Sequence, residues 1–348
     1  MLHSTFEDVH PDYRARVNRV GGLNEACLQQ LVRSLPSDPA LNLLRPSSKD
    51  DVVEHTELTL IDEMRGEQAI AAGEVSFVIM AGGASTRMGT SKQLAMMPTV
   101  GTSLLAWKVM QGGGIPTLIM SAAGGLDVIA RHLQQLVLPP KTPVHVFEQF
   151  EGYRLNLDTS LRWLSTGVPD LHPLGHGDVG PALVESGVLD DNPNVKYAYI
   201  VNADNVMASP HSAIIGRHIY MGKQVTCEVV EKQSNDRGGV LAWANDRLQV
   251  IEGFRLPTDI FEEALYFNTN SFIVNVETLR APLKWRWHRT RKQVGSALVL
   301  QHERLLQQYT EEYDTNYIVV PRQSRFCPVK NLDDLERVDK QLAKYRYK

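Results

Sequence analysis

VSFVIMAGGASTRMGTSK, Val75 to Lys92, runs an apolar segment, a set of small residues and two cations together in direct succession. Val75–Met80 has the length and the β-branched content of one strand buried on both faces of a parallel sheet. Ala81, Gly82, Gly83, Ala84 and Ser85 follow, all small, so the backbone there can turn and approach a ligand closely. Arg87 and Lys92 bring positive charge to the place where the strand ends. A strand entering such a turn predicts a phosphate cradle built from backbone N–H groups and side-chain charge. This stretch has neither the GxxxxGK[ST] spacing nor the GxGxxG spacing. A plain strand-to-helix turn is the bland alternative, and Arg87 and Lys92 weigh against it.

Outward from this strand the pattern alternates. A helix is expected over Ser103–Gln111, a strand over Thr117–Ser121, a helix over Leu126–Leu136, and strands at Val144–Phe147 and Ala198–Val201. That order predicts an α/β fold with a mixed, mainly parallel sheet and helices on both faces. Ligands in such sheets sit beyond the carboxyl ends of the strands. After residue 222 the expected strands lengthen: Val225–Glu231, Gly239–Trp243, Leu248–Phe254 and Phe267–Val276. They read as the mixed part of the sheet plus a hairpin layer over the ligand. Upstream, Leu23–Leu35 and Val53–Ala72 carry helical spacing. Residues 1–72 therefore read as a helical N-terminal preface and residues 73–348 as the main domain.

The 348 residues are 43% hydrophobic and 22% charged, as in a soluble globular protein with one large α/β domain or two ordinary ones. A net charge of −4 with no long basic run leaves no footprint for nucleic acid. KWRWHRTRK, Lys284–Lys292, is the one basic cluster. Its Trp285 and Trp287 could stack on bases, and a partly exposed helix face is the preferred reading. Cys27, Cys227 and Cys327 are odd in number, far apart and without a CxxC pair, so they read as reduced thiols. No secretory leader pattern and no uncharged run of membrane-spanning length is visible, which predicts a cytoplasmic protein with no membrane partner.

Four further segments carry chemistry. HPLGHGDVG, His172–Gly180, packs three glycines, two histidines and an aspartate into nine residues, which suits a backbone that touches a ligand. A zinc site is disfavoured, since no helix can hold His172 and His176 on one face across Pro173 and Gly175. YIVNADNV, Tyr199–Val206, ends an apolar strand in Asn202, Asp204 and Asn205. A carboxylate there, facing a phosphate cradle, is where nucleotide-bound Mg²⁺ would be held. An Asx-turn capped by Asp204 is the alternative. In Phe267-Asn-Thr-Asn, strand alternation puts Asn268 and Asn270 on one side, and their amides suit neutral hydroxyls such as those of a sugar. Lys330, in Pro328-Val-Lys, taken alone reads as a surface lysine.

Together these segments resemble the UDP-glucose pyrophosphorylases, the eukaryotic-type UTP–glucose-1-phosphate uridylyltransferases. The turn Ala81–Gly89 with Lys92 is similar to their nucleotide loop. FEQFEGYRL, Phe147–Leu155, is similar to the segment whose glutamine reads uracil, here Gln149. HPLGHGD resembles their loop contacting base and sugar phosphate, and NADN their metal-binding strand end. EKQSNDRGGVLA (Glu231–Ala242), FNTN and VPRQSRFCPVK (Val320–Lys330) follow in the same order. The resemblance runs from Val75 to Val338, and its specificity lies in the ordered set. Two departures stand out. The turn AGGASTRMG is closer to nucleotidyltransferases at large, and the chain stops soon after Lys330, so no C-terminal β-helix is expected. Related bacterial enzymes that activate cyclitol phosphates are similarly short, and some use another nucleotide.

The resemblance implies a Rossmann-like fold of the GT-A/nucleotidyltransferase kind and the reaction of an NTP, UTP favoured, with a sugar 1-phosphate resembling glucose 1-phosphate, giving an NDP-sugar and diphosphate. It implies that Ala81, Gly82, Gly83, Ala84 and Ser85 hold the triphosphate, with Arg87 and Lys92 neutralising it. Uracil would lie against Gln149 and the Gly175 backbone, and His176 would touch the sugar phosphate. Asn202, Asn268 and Asn270 would read hydroxyls, with Glu231 and Asp236 on the sugar side. Asp204 would carry Mg²⁺, and Lys330 would balance charge at the α-phosphate. The alternatives are a guanylyl- or adenylyltransferase acting on a cyclitol phosphate such as valienol 1-phosphate, a GT-A-like glycosyltransferase, and a non-catalytic nucleotide-binding regulator. The glycosyltransferases usually place Asp-x-Asp at the metal, where this chain has Asn-Ala-Asp-Asn, and a regulator would have no use for Lys330.

Overall fold

Val75–Met80 lies inside an 11-stranded sheet and is buried along its whole length. The computed structural model describes residues 6–33, 40–82, 92–135 and 143–343. Across the sheet the strands run Val53–Glu54, Thr315–Val319, Val225–Glu231, Tyr266–Asn275, Tyr197–Asn202, Val75–Met80, Thr117–Ser121 and Val144–Glu148. Neighbours along this path are parallel except for Tyr266–Asn275, which is antiparallel to the strands on both its sides. Gly239–Ala244 and Arg247–Glu252 form an antiparallel hairpin that extends the sheet from Tyr266–Asn275.

Strand alternation gives the sheet two cores. Val78 and Met80 face one, with Leu118, Met120, Ala198 and Ile200 beside them and Leu183 of helix Val179–Glu185 against them. Phe77 and Ile79 face the other, where helices Leu104–Gln111, Leu126–Gln134 and Ser212–Met221 supply Leu105, Ile129 and Ile214. Each fully buried side chain of this size contributes about 1.5–3 kcal/mol relative to exposure. A third cluster joins Met97 and Val329 to Leu335, Val338 and Leu342 of helix Leu332–Ala343.

The structure corrects three local expectations. Val53–Ala72 is not one helix: Val53–Glu54 pairs in parallel with Thr315–Val319, and the helix begins at Leu60. A capping box sets that start, with Asp62 Oδ2 accepting the Thr59 N–H at 2.9 Å and Thr59 Oγ1 accepting the Asp62 N–H at 3.2 Å. Arg45–Pro46 of the same region pairs with Gly239–Ala244. The expected strand Leu248–Phe254 ends at Glu252, where a short 3-10 turn, Gly253–Arg255, begins.

The third correction concerns the basic cluster, which is not a helix face. His288–Val294 is a strand, paired antiparallel with Ala297–Glu303. The turn passes through Gly295 at φ 59°. Trp285 and Trp287 stack on a cation of the chain itself, their rings 5.2 and 5.0 Å from the Arg304 guanidinium. Among the described residues, no helix is long and apolar enough to cross a membrane.

Candidate active site

The carboxyl edge of the sheet opens onto a cavity of about 380 Å³. Met80, Ala81 and Gly82 enter it from the first strand, Met120 from the next, and Gln149 from just past Val144–Glu148. Asn202, Ala203 and Asp204 enter from the end of Tyr197–Asn202. This is where a parallel topology leaves strand ends free to meet a ligand. Pro173, Gly175 and His176 form a second wall, and the hairpin His288–Glu303 closes the space with Lys292, Gln301 and Glu303.

Gln149 is buried, and its Nε2 donates to the Gly175 carbonyl at 2.7 Å. Gly175 sits at φ 95°, and a Cβ on it would stand 2.5 Å from the Arg304 carbonyl oxygen, so no larger residue fits. At Gly82 an added Cβ would run into the Gln149 Oε1. The glycines thus let two chain segments close around one amide.

His176 Nδ1 accepts the Leu306 N–H at 3.1 Å, which puts the ring proton of the neutral form on Nε2. Removal from bulk water pushes its pKa down to about 4, with Lys292 and His288 acting in the same direction. At neutral pH it is therefore an uncharged donor at the cavity wall. His172 is not beside it as a second ligand: it is buried in the strand Leu171–Pro173, its Nδ1 2.8 Å from the Pro173 carbonyl oxygen.

The FNTN segment departs from plain alternation. The ladder between Val225–Glu231 and Tyr266–Asn275 shifts register between Glu228 and Val229, and Asn270 adopts φ 58°. Asn268 Oδ1 accepts the Asn270 N–H at 2.9 Å, so it braces this bulge. Asn270 Nδ2 then donates to Asn202 Oδ1 at 3.1 Å, leaving the Asn202 amide nitrogen to act as a donor. Asn270 Oδ1 is buried with no hydrogen-bond partner.

Beneath Asp204 lies a buried ionic cluster. Arg325 donates to both carboxylate oxygens of Glu228, at 2.7 and 3.0 Å, and to the Tyr199 hydroxyl at 2.6 Å. The Lys108 ammonium is enclosed, donating to the Ala208 carbonyl and to Gln111 Oε1. Burial lowers its pKa well below the usual lysine range, Arg325 adds to this, and Asp204 and Glu228 oppose it.

The structure thus gathers Ala81, Gly82, Gln149, Gly175, His176, Asn202 and Asp204 around one cavity. Gly83, Ala84, Ser85 and Arg87 lie outside the described residues, as does the side chain of Lys92. Lys330 is exposed and donates its main-chain N–H to Asp334 Oδ2 at 2.9 Å, while the neighbouring Val329 N–H donates to the Asp204 carbonyl. Glu231 borders a different hollow, beside Glu54 and Arg322, and Asp236 pairs with Arg322 at 2.5 Å. Among the described residues, no group of three His, Cys, Asp or Glu side chains is placed to hold a metal.

Sequence reasoning missed Gln93, Arg154, Lys292, Gln301 and Glu303 as cavity residues. The signal for the last three was the turn Val294-Gly295-Ser296 between two stretches of strand length. Arg154 reaches the cavity wall while held by Asp170 at 2.7 Å, and Asp170 is held in turn by Arg162 at 2.8 Å.

Residues 29–347 match the model of the UDPGP family, UTP–glucose-1-phosphate uridylyltransferase. A protein of that name from Hordeum vulgare is 29% identical over 249 residues, covering 66% of this chain and 52% of that protein. Another, from Solanum tuberosum, is 25% identical over 318 residues, covering 84% of this chain and 66% of that protein. The chain spans about half the length of several curated relatives it matches. Among solved structures, a uridine diphosphate N-acetylglucosamine pyrophosphorylase from Trypanosoma brucei superposes with a TM-score of 0.77 at 18% identity, covering 96% of this chain and 79% of that one. A UDP-glucose pyrophosphorylase from Leishmania major superposes with a TM-score of 0.66 at 20% identity, covering 84% and 69%. These two likenesses carry the fold, while the family model spans almost the whole sequence. On that match the chain belongs to the UTP–glucose-1-phosphate uridylyltransferase family.

Proposed function

We propose that this chain is a nucleotidyltransferase that transfers the nucleotidyl group of an NTP, UTP by preference, to a sugar 1-phosphate of the glucose 1-phosphate kind. The observation that carries this reading is the meeting of the Gly82 turn, the Gln149–Gly175 pair, His176, Asn202 and Asp204 around one cavity at the sheet's carboxyl edge. A phosphate oxygen of the sugar phosphate attacks the α-phosphorus, the bond to the bridging oxygen breaks, and diphosphate leaves. The attacking oxygen is already anionic, so no general base is required. The chain's task is to align two polyanions and to stabilise the charge that converges between them.

His176 suits the sugar phosphate, since a neutral Nε2–H donates to a phosphate oxygen without titrating near neutrality. The Asn202 amide nitrogen at the cavity wall suits a sugar hydroxyl as a donor, and Asn270, which does not line the cavity, holds that amide in place. Lys330 follows Val329, whose N–H holds the Asp204 carbonyl, and from there its ammonium would serve the α-phosphate side. The donor set fits Mg²⁺, which takes one or two protein carboxylates and fills the rest of its shell with water and phosphate oxygens. Asp204 would hold it, and the ion would supply neutralisation of phosphate charge. We place the catalytic domain at residues 73–348 and treat residues 1–72 as its N-terminal extension, which adds the strands Arg45–Pro46 and Val53–Glu54 to the domain's sheet.

The test is a matrix of four NTPs against hexose and cyclitol 1-phosphates, read by diphosphate release. UTP with a hexose 1-phosphate is the expected best pair. A kcat/KM for GTP or ATP with a cyclitol phosphate above that pair would move the assignment to the cyclitol-activating relatives. Release with no pair at all would overturn the catalytic reading.

A further inference from the structure

Behind Gln149, away from the cavity, Asp178 and Arg304 form an ion pair that the reaction above does not use. Asp178 is 0% exposed and Arg304 1%. Arg304 Nε donates to Asp178 Oδ1 at 2.5 Å. The guanidinium is enclosed by the rings of Phe150, Trp285 and Trp287, at 5.4, 5.2 and 5.0 Å. Breaking such a pair costs more than its formation gains, because either partner alone is a stranded buried charge. Asp178 is therefore held firmly where it stands.

The same carboxylate interacts with the Gln149 side chain and the Phe150 N–H. Asp178 Oδ2 is buried without a hydrogen-bond partner, so this carboxylate acts on the Gln149 amide through its charge. A carboxylate paired with arginine only accepts, and an amide beside it turns its NH₂ group towards it. The Gly175 carbonyl draws that same NH₂ group at 2.7 Å. Both neighbours pull in one sense, and Oε1 is left on the side of Gly82, where an added Cβ would strike it.

We propose that Asp178, anchored by Arg304, is the positioning residue that fixes the Gln149 amide with Oε1 towards the base, so that the cleft takes a ring N–H flanked by carbonyls and refuses a ring nitrogen lone pair. Uracil and cytosine have nearly the same outline but differ at this atom. Uracil carries N3–H, which Oε1 accepts, and cytosine presents a lone pair there, which Oε1 repels. A glutamine free to turn over would serve either base, because its two ends exchange roles. Turning it here would set Oε1 against the Gly175 carbonyl and the Asp178 carboxylate together. Asp178 thus converts a two-way reader into a one-way reader. This inference rests on the nucleotidyltransferase reading of the cavity.

The experiment measures UTP and CTP on the full chain, by calorimetric binding and by kcat/KM with glucose 1-phosphate. The wild-type chain is expected to prefer UTP by about a hundredfold or more, as a site built on polar pairing does. Asp178→Asn offers Gln149 an N–H as well as a carbonyl, so it is expected to narrow that preference about tenfold or more. The change should appear in nucleotide Kd and KM more than in kcat. Asp178→Asn also strands Arg304, so Asp178→Leu combined with Arg304→Met removes both charges at once and is expected to narrow the preference likewise. Folded variants that keep the wild-type UTP-to-CTP ratio would overturn the role of Asp178 and leave the nucleotidyltransferase reading intact. A wild-type chain that binds neither nucleotide would overturn that reading, and this inference with it.

Discussion

Asn205 grips the backbone of Cys327: its Oδ1 accepts the Cys327 N–H at 2.9 Å across 122 residues of chain. Its Nδ2 donates to the Arg325 carbonyl at 3.1 Å, and the Asp204 carbonyl next to it accepts the Val329 N–H at 2.9 Å. One buried amide thus binds the segment leading to Lys330 to the strand end that carries Asp204. Asn205→Ala leaves both backbone groups without their partner and is expected to cost about 2–4 kcal/mol. A folded Asn205→Ala protein should also lose kcat, since Lys330 is no longer held in register. Urea denaturation beside turnover checks both, and unchanged stability would show that the grip is not needed.

Asp204→Asn should abolish most turnover while the fold survives. The substitution keeps shape and removes the carboxylate that the end of Tyr197–Asn202 brings to the cavity. Rates measured across a Mg²⁺ titration decide the matter. A variant with wild-type turnover at limiting Mg²⁺ would remove Asp204 from the reaction.

Gly82→Ala should spare folding and weaken nucleotide binding. The added methyl meets Gln149 Oε1, the atom assigned to the base, and the amide cannot retreat without leaving the Gly175 carbonyl. UTP affinity is expected to fall about tenfold or more, as when a site's pairing group is displaced. A thermal melt equal to wild type, with nucleotide Kd measured on the same sample, separates displacement from unfolding.

Acid should destabilise the fold through its buried neutral histidines. Burial holds His172 down to about 3, and His176, His218 and His302 each to about 4. In the unfolded chain they titrate near 6.5. Between those values the unfolded state binds more protons, so their contribution is full above about pH 6.5 and is lost as pH falls towards 4. Asp178 has the opposite sign: burial pushes it up to about 6, so the folded state keeps a proton that the unfolded state releases. Among these five groups the four histidines outweigh Asp178 at pH 5, so their unfolding takes up protons. Denaturation midpoints measured from pH 7.5 to 5 should fall accordingly, and a flat profile would contradict neutral buried histidines.

The sequence by itself determined the central strands of the sheet and the part of the cavity wall that they carry. Val75–Met80 could only be a two-faced buried strand, because six residues with so little polarity have nowhere else to go. Gly82, Asn202 and Asp204 were legible because each lies at a strand end of the parallel sheet, which brings such ends to one edge, whereas Gln149, Gly175 and His176 were legible through the family resemblance. Only the tertiary structure decided the hairpin His288–Glu303 and the pairing of Asp178 with Arg304, 126 residues apart. A run such as KWRWHRTRK has no clear period, so its charges read as surface until a partner strand supplies the pairing. Trp285 and Trp287 likewise gained their role when the chain placed Arg304 between them. Local spacing encodes which face of an element is buried. Which distant group meets it there depends on how the packed elements close around one another.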